Sequence, residues 1–220
     1  MGKRATVLGA TGLIGSNLIK TLVNDDYYSK VRVISRRPID YKNEKVEVIV
    51  IDFLDNAAFR TAINGSDTVF CAVGTTKKKV KGDMKEYRKV DYDIPVNAAK
   101  FCQDTHCKVF SLVSSIGADS KSKNFYLKMK GEVEDAIIAA GIRSVSVFRP
   151  SMLLGNRNEF RFFELIAQAL LKPLSFLFPP NYKAVNASDV AKAMVISSRM
   201  ETPGFHIYKY KDIKTLTKSE

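Results

Sequence analysis

The sequence predicts an α/β fold: a single domain with a central parallel sheet and helices on both faces. Two observations carry this. Strand-like and helix-like segments alternate through the first two-thirds of the chain, and a glycine-rich turn links the first strand to the first helix. A length of 220 residues fits one domain with a core large enough to need no disulfide or metal. Hydrophobic residues at 45% and charged residues at 26% exclude a disordered, collagen-like or coiled-coil chain. No run of about 18 residues is free of charge and proline, so no transmembrane segment is expected. The apolar run from Ala5 to Ala10 is too short for a signal peptide.

Thr6-Val7-Leu8 opens the chain as a β run. Leu13 to Val23 follows with apolar residues at helical spacing. Val31 to Ile34 and Val46 to Ile51 read as strands two and three. Asn56 to Ile63 is a helix closed by Asn64-Gly65, and Thr68 to Val73 is strand four. Lys85 to Asp104 reads as one long helix that Pro95 kinks or breaks. Val109 to Val113 is strand five, Phe125 to Ala140 a helix ended by Gly141, and Val145 to Phe148 strand six. Right-handed crossovers make such an alternation a doubly wound parallel sheet. Beyond Pro150 the pattern changes. Glu159 to Leu171 is an apolar helical stretch, and Ser188 to Ser198 a helix capped by Ser188 or Asp189. Phe205 to Tyr208 is a late edge strand, and the polar tail from Lys211 is expected to fray.

Gly9-Ala10-Thr11-Gly12-Leu13-Ile14-Gly15 spaces three glycines three apart between a strand and an amphipathic helix. One serves a tight turn, one the close approach of backbone to a pyrophosphate, one close helix–strand packing. The helix N-terminus supplies N–H groups to the phosphates. After strand two comes Ser35-Arg36-Arg37-Pro38, about 20 residues past the last glycine. Two guanidiniums and no carboxylate favour a 2′-phosphate, so NADP is the expected cofactor over NAD. Asp52 and Phe53 follow strand three, where the adenine edge lies. Ala72, Val73, Gly74 and Thr75 follow strand four, where small residues let the chain pass under the cofactor.

Strand five ends in Ser114-Ser115-Ile116-Gly117, and the next helix carries Tyr126 and Lys130. Positions four apart share a helix face. A phenol with a pKa of about 10 is a poor proton donor–acceptor at neutral pH, and a neighbouring ammonium favours its phenolate. Tyr126 is therefore the candidate acid–base group and Lys130 its partner and a ribose ligand. A strand-end serine holds the substrate oxygen, with Ser114 preferred over Ser115.

With these pieces, and with Phe148-Arg149-Pro150, the chain resembles an atypical short-chain dehydrogenase/reductase. Ser114 to Asp119 and Lys130-Gly131-Glu132-Val133-Glu134 are similar to the Tat-interacting-protein oxidoreductase branch. The resemblance covers nearly the whole chain and is weakest from Gly155 to Tyr182. It implies a Rossmann-type sheet of about seven strands, with a cofactor-binding core over about 1–150 and substrate-covering segments over about 151–210. It also implies that the backbone at Pro150, Ser151 and Met152 touches the nicotinamide. The implied activity is hydride transfer between NADP(H) and a carbonyl or alcohol. The alternative is an NADP-binding redox sensor or regulator with little turnover.

Lys plus Arg is 35 and Asp plus Glu 23, a net charge of +12 that favours an anionic partner. The densest basic run, Lys77 to Lys81, has no interleaved aromatics, so it reads as a solvated loop and no nucleic-acid partner is expected. Cys71, Cys102 and Cys107 are an odd number, which fits a reduced, cytoplasmic protein. Cys102, His106 and Cys107 lack ligands to complete a tetrahedral shell, and no metal is expected. The apolar segment 160–178 reads as core packing, a hydrophobic substrate lid, or a membrane- or partner-binding face.

Overall fold

The computed structural model describes residues 2–76, 80–155 and 183–218. The elements are β1 (Lys3–Leu8), α1 (Leu13–Val23), β2 (Tyr28–Ser35), β3 (Val46–Val50), α2 (Asn56–Ile63), β4 (Thr68–Cys71), α3 (Met84–Arg88) and, after a π-helical turn (Lys89–Asp93), α4 (Ile94–Asp104). Then come β5 (Val109–Val113), α5 (Phe125–Ala139), β6 (Ser144–Phe148), β7 (Leu153–Leu154), β8 (Val185–Asn186), α6 (Ala187–Met200), β9 (Gly204–Tyr208) and α7 (Tyr210–Lys218). The readings on Glu159 to Leu171 and on 160–178 lie outside the described residues.

The main sheet has seven strands in the order β3-β2-β1-β4-β5-β6-β9, every pair parallel. The chain winds outward from β1 to β3, then crosses back and winds out to β9. The winding reverses between β1 and β4, and a ligand crevice opens at the carboxyl ends of strands at such a switch point. Strand alternation divides the core. Ala5, Val7, Val31 and Val33 pack with α1 and α6, whereas Leu8, Ile34, Phe110 and Leu112 pack with α2, α4 and α5. β7 and β8 form a small separate ladder that the sequence reading missed, since two residues carry no periodicity.

Three expectations are corrected. The long helix from Lys85 to Asp104 is interrupted by the π-helical turn, where the Ile94 N–H reaches back to the Lys89 carbonyl. Pro95 lacks an N–H, and in an α-helix its ring would press on the carbonyl of Asp91; the wider turn relieves both constraints. The cap of α6 is Asn186, not Ser188 or Asp189. The tail does not fray from Lys211: α7 buries Ile213 completely and packs Leu216 on the core.

Candidate active site

The turn between β1 and α1 uses its glycines for different constraints. Gly9 has φ +82°, and a Cβ on it would stand 2.5 Å from the Ala72 carbonyl oxygen. A Cβ on Gly15 would meet the Gly9 carbonyl oxygen at 2.0 Å, so α1 can rest on the loop only with glycine there. Gly12 caps α1 in an extended conformation with no side-chain cap, and its N–H bonds the Gly9 carbonyl at 2.9 Å. The N–H groups of the first turn, from Leu13 and Ile14 onward, face the end of the helix. The Ile14 side chain lies in the core, so only its backbone is offered to a ligand.

These glycines border a groove of about 230 Å³ at the carboxyl ends of the central strands. Gly9, Thr11 and Gly12 line it from the loop, Arg36 from the end of β2 and Phe53 from the end of β3. Ala72, Val73, Gly74 and Thr75 line it from the end of β4. The structure thus gathers these nine expected residues around one cleft. Val90 and Ile94 close it from the π-helical turn and the start of α4. An adjoining hollow of about 350 Å³ shares Arg36 and Phe53 and includes Asp52. Phe53 is held edge-on against Phe59, with ring centroids 4.9 Å apart. A glycine-walled cleft at a helix N-terminus, flanked by one guanidinium, fits a phosphorylated dinucleotide.

Other expected residues lie apart from this cleft. Arg37 is exposed and does not line it. The Pro150 carbonyl accepts from the Ile116 N–H at 3.0 Å and the Met152 carbonyl from the Val185 N–H at 2.8 Å. The Ser151 hydroxyl donates to the Lys183 carbonyl at 2.6 Å. These three residues tie the chain after β6 to its neighbours, and none borders the groove.

Tyr126 and Lys130 share the buried face of α5, with the Lys130 ammonium 5.8 Å from the Tyr126 ring centroid. Asn124 caps this helix, accepting from the Tyr126 and Leu127 N–H groups. The partner of Lys130 is Asp91, at 3.2 Å, with side-chain exposures of 7% and 2%. Asp91 also accepts the Thr75 N–H at 2.7 Å, so the charge pair is joined to the wall of the groove. Burial works against the Lys130 charge, but Asp91 and Tyr126 outweigh it and hold the ammonium above its ordinary pKa. Burial raises the Tyr126 phenol, against the pull of Lys130 and of the nearby Ser115 hydroxyl. The Tyr126 hydroxyl has no formed hydrogen bond among the described residues.

The two candidate serines, Ser114 and Ser115, have different surroundings. Ser114 is in phase with Phe110 and Leu112, whose side chains pack on the α4–α5 side of the sheet. Its hydroxyl therefore donates to Glu134 on α5, whose carboxylate also takes the Arg149 guanidinium. Ser115 is the serine beside Tyr126.

The sequence reading missed Asp91, although a signal existed. Asp91 is three, seven and eleven residues before Ile94, Ala98 and Cys102, all buried, and a carboxylate on an apolar helix face requires a counter-charge. Glu134 likewise follows Lys130 by one helical turn. Which cation each carboxylate finds depends on how α4, α5 and β6 pack.

Comparison with known proteins supplies the class. A family profile described as NAD(P)H-binding matches residues 9–195, and the chain belongs to this family, with the Rossmann-type sheet of an atypical short-chain dehydrogenase/reductase. It is 35% identical over 205 residues to Protein HTATIP2 of Rattus norvegicus, spanning 92% of this chain and 83% of that one. It is also 35% identical over 157 residues to Protein FMP52, mitochondrial, of Candida albicans, spanning 70% and 68% of the two chains. Among solved structures, the Bordetella bronchiseptica enzyme WbmH in complex with NAD+ superposes with a TM-score of 0.72 at 17% identity, covering 96% of this chain and 76% of that one. MoeE5 in complex with UDP-glucose and NAD gives 0.70 at 17%, covering 98% and 81%. At such identities these two structures share the fold alone.

Proposed function

We propose that the chain is an NADP-dependent oxidoreductase of the short-chain dehydrogenase/reductase type, acting on a carbonyl or alcohol. The observation that carries the reading is the buried Tyr126–Lys130–Asp91 cluster, linked through Thr75 to the nucleotide groove. When bound, the dinucleotide accepts or supplies the hydride. Arg36 meets the 2′-phosphate and the glycine turn the pyrophosphate, with the adenine beside Phe53. Ser115, in place of Ser114, holds the substrate oxygen. Tyr126 moves the proton to or from that oxygen. Lys130 favours the phenolate and bonds the ribose; Asp91 keeps Lys130 charged and in place. Segments within 151–210 cover the substrate.

The reading is tested by NADPH absorbance across aldehydes, ketones and quinones. On a substrate that the wild type turns over, Tyr126→Phe is expected to lower turnover by at least about a hundredfold and to change NADP affinity little. Near-full activity in the variant defeats the assigned role. One observation favours a second reading, an NADP-binding sensor: burial holds the Tyr126 phenol above its ordinary pKa, which opposes proton transfer. Tight NADP binding with no turnover across the screen selects the sensor. Three free, buried cysteines support a cytoplasmic location, set against relatives whose names carry "mitochondrial". Cell fractionation decides between the two.

A further inference from the structure

A carbonyl oxygen has two lone pairs, and on the reading above the Ser115 and Tyr126 hydroxyls occupy both. A third hydroxyl stands in the same patch. Tyr87, in the last turn of α3, is 1% exposed, and its hydroxyl is buried with no hydrogen-bond partner among the described residues. Tyr87, Tyr126 and Met129 form one buried apolar cluster. Tyr87 is held from three sides. Asp83 caps α3, the ring packs edge-on against Phe125 at 6.0 Å, and the π-helical turn carrying Asp91 follows within two residues. Burial, then the charge of Asp91 and the neighbouring Tyr126, push the Tyr87 phenol up, so it stays a protonated donor. A buried O–H without an acceptor is unfavourable, and the Tyr87 hydroxyl is one, in the same buried cluster as Tyr126.

We propose that Tyr87 is a specificity-determining donor, and that it selects substrates with a second acceptor oxygen beside the reacting carbonyl, as in vicinal dicarbonyls and ortho-quinones. The proposal rests on the oxidoreductase reading for its assignment of the first oxygen to Ser115 and Tyr126. In the reaction, one carbonyl carbon receives hydride from NADPH, which becomes NADP+, and its oxygen receives the Tyr126 proton. The second carbonyl keeps its bonds, and Tyr87 keeps its proton. The product is a hydroxyketone, which in the ortho-quinone case then tautomerises to the catechol.

Benzil and deoxybenzoin differ by one carbonyl oxygen and suit the test. Calorimetric titration of each into the full chain saturated with NADP+ needs no turnover. The wild type is expected to hold benzil about tenfold more tightly than deoxybenzoin, the effect of one added hydrogen bond, and in Tyr87→Phe the ratio is expected to fall to near one. Equal affinity in the wild type, no binding of benzil, or a ratio that survives Tyr87→Phe overturns the proposal. Thermal melting without ligand gives a second measurement. Tyr87→Phe is expected to melt at or above the wild-type temperature, because it removes an unpartnered group; a lower Tm reveals a partner inside the protein and also overturns it. If the benzil preference depends on Tyr87 but no NADPH is consumed, the hydride-transfer reading falls and the binding role of Tyr87 stands.

Discussion

Asp91 and Lys130 show how one residue pair sets the character of the site. Each charge is nearly inaccessible to water and depends on the other, with the Thr75 N–H as the third member. Removing one member of a buried pair leaves the other uncompensated and typically costs about 3–5 kcal/mol, whereas replacing both can be close to neutral. Asp91→Asn is therefore expected to lower unfolding stability by about that amount in a urea titration. Adding Lys130→Met to it is expected to restore much of the loss. A double variant as unstable as the single one shows that the pair is not the source of the effect. The same reasoning favours Ser115 in the proposed reaction: the Ser114 hydroxyl already donates to Glu134, whose carboxylate is in turn paired with Arg149.

Among the elements, the π-helical turn and α7, like the β7–β8 ladder, are ones that local rules did not foresee. The turn lets α3 and α4 run on through Pro95 and faces Asp91 toward Lys130. It is braced from outside by Arg88, which lies 3.8 Å over the Tyr92 ring and bonds Glu132 on α5 at 2.9 Å. In α7 the polar majority hides a narrow apolar stripe. Ile213 is fully buried, Asp212 accepts the Lys209 N–H at 2.8 Å, and Lys214 bonds Asp189 of α6 at 2.8 Å. Ile213→Ala is expected to cost about 2–5 kcal/mol in chemical denaturation. A loss below about 0.5 kcal/mol, the scale of ordinary surface changes, would mean that α7 adds little to the fold.

At the scale of the whole molecule, a net charge of +12 draws anions toward the surface, and among the described residues Arg36 is the cation that borders the groove. Among the described residues neither Arg36 nor Arg37 is held in an ion pair. Calorimetry is expected to show NADP bound at least about tenfold more tightly than NAD, with Arg36→Ala erasing most of the difference. Added salt is expected to shrink the gap, because the guanidinium is exposed and screened. Equal affinity of the wild type for both dinucleotides makes Arg36 an ordinary basic turn residue.

The sheet, the glycine turn and the nine groove residues were legible in the sequence, because each follows from neighbours in the chain. Strand alternation, helical stripes and glycine spacing act over a few residues, and the doubly wound topology then brings the strand ends together. The sequence also placed Tyr126 and Lys130 on one face, as helix geometry requires. What those side chains meet depends on packing between distant segments. Asp91 and Lys130 are thirty-nine positions apart in sequence, and Ser114 and Glu134 are twenty apart. Such pairs form when helices dock on a sheet at a particular angle and offset, and a buried charge or hydroxyl then takes the partner that packing brings within reach. Tyr87 is the same case: its ring follows from an apolar position, but its unpartnered hydroxyl beside Tyr126 exists only once α3 and α5 are packed together.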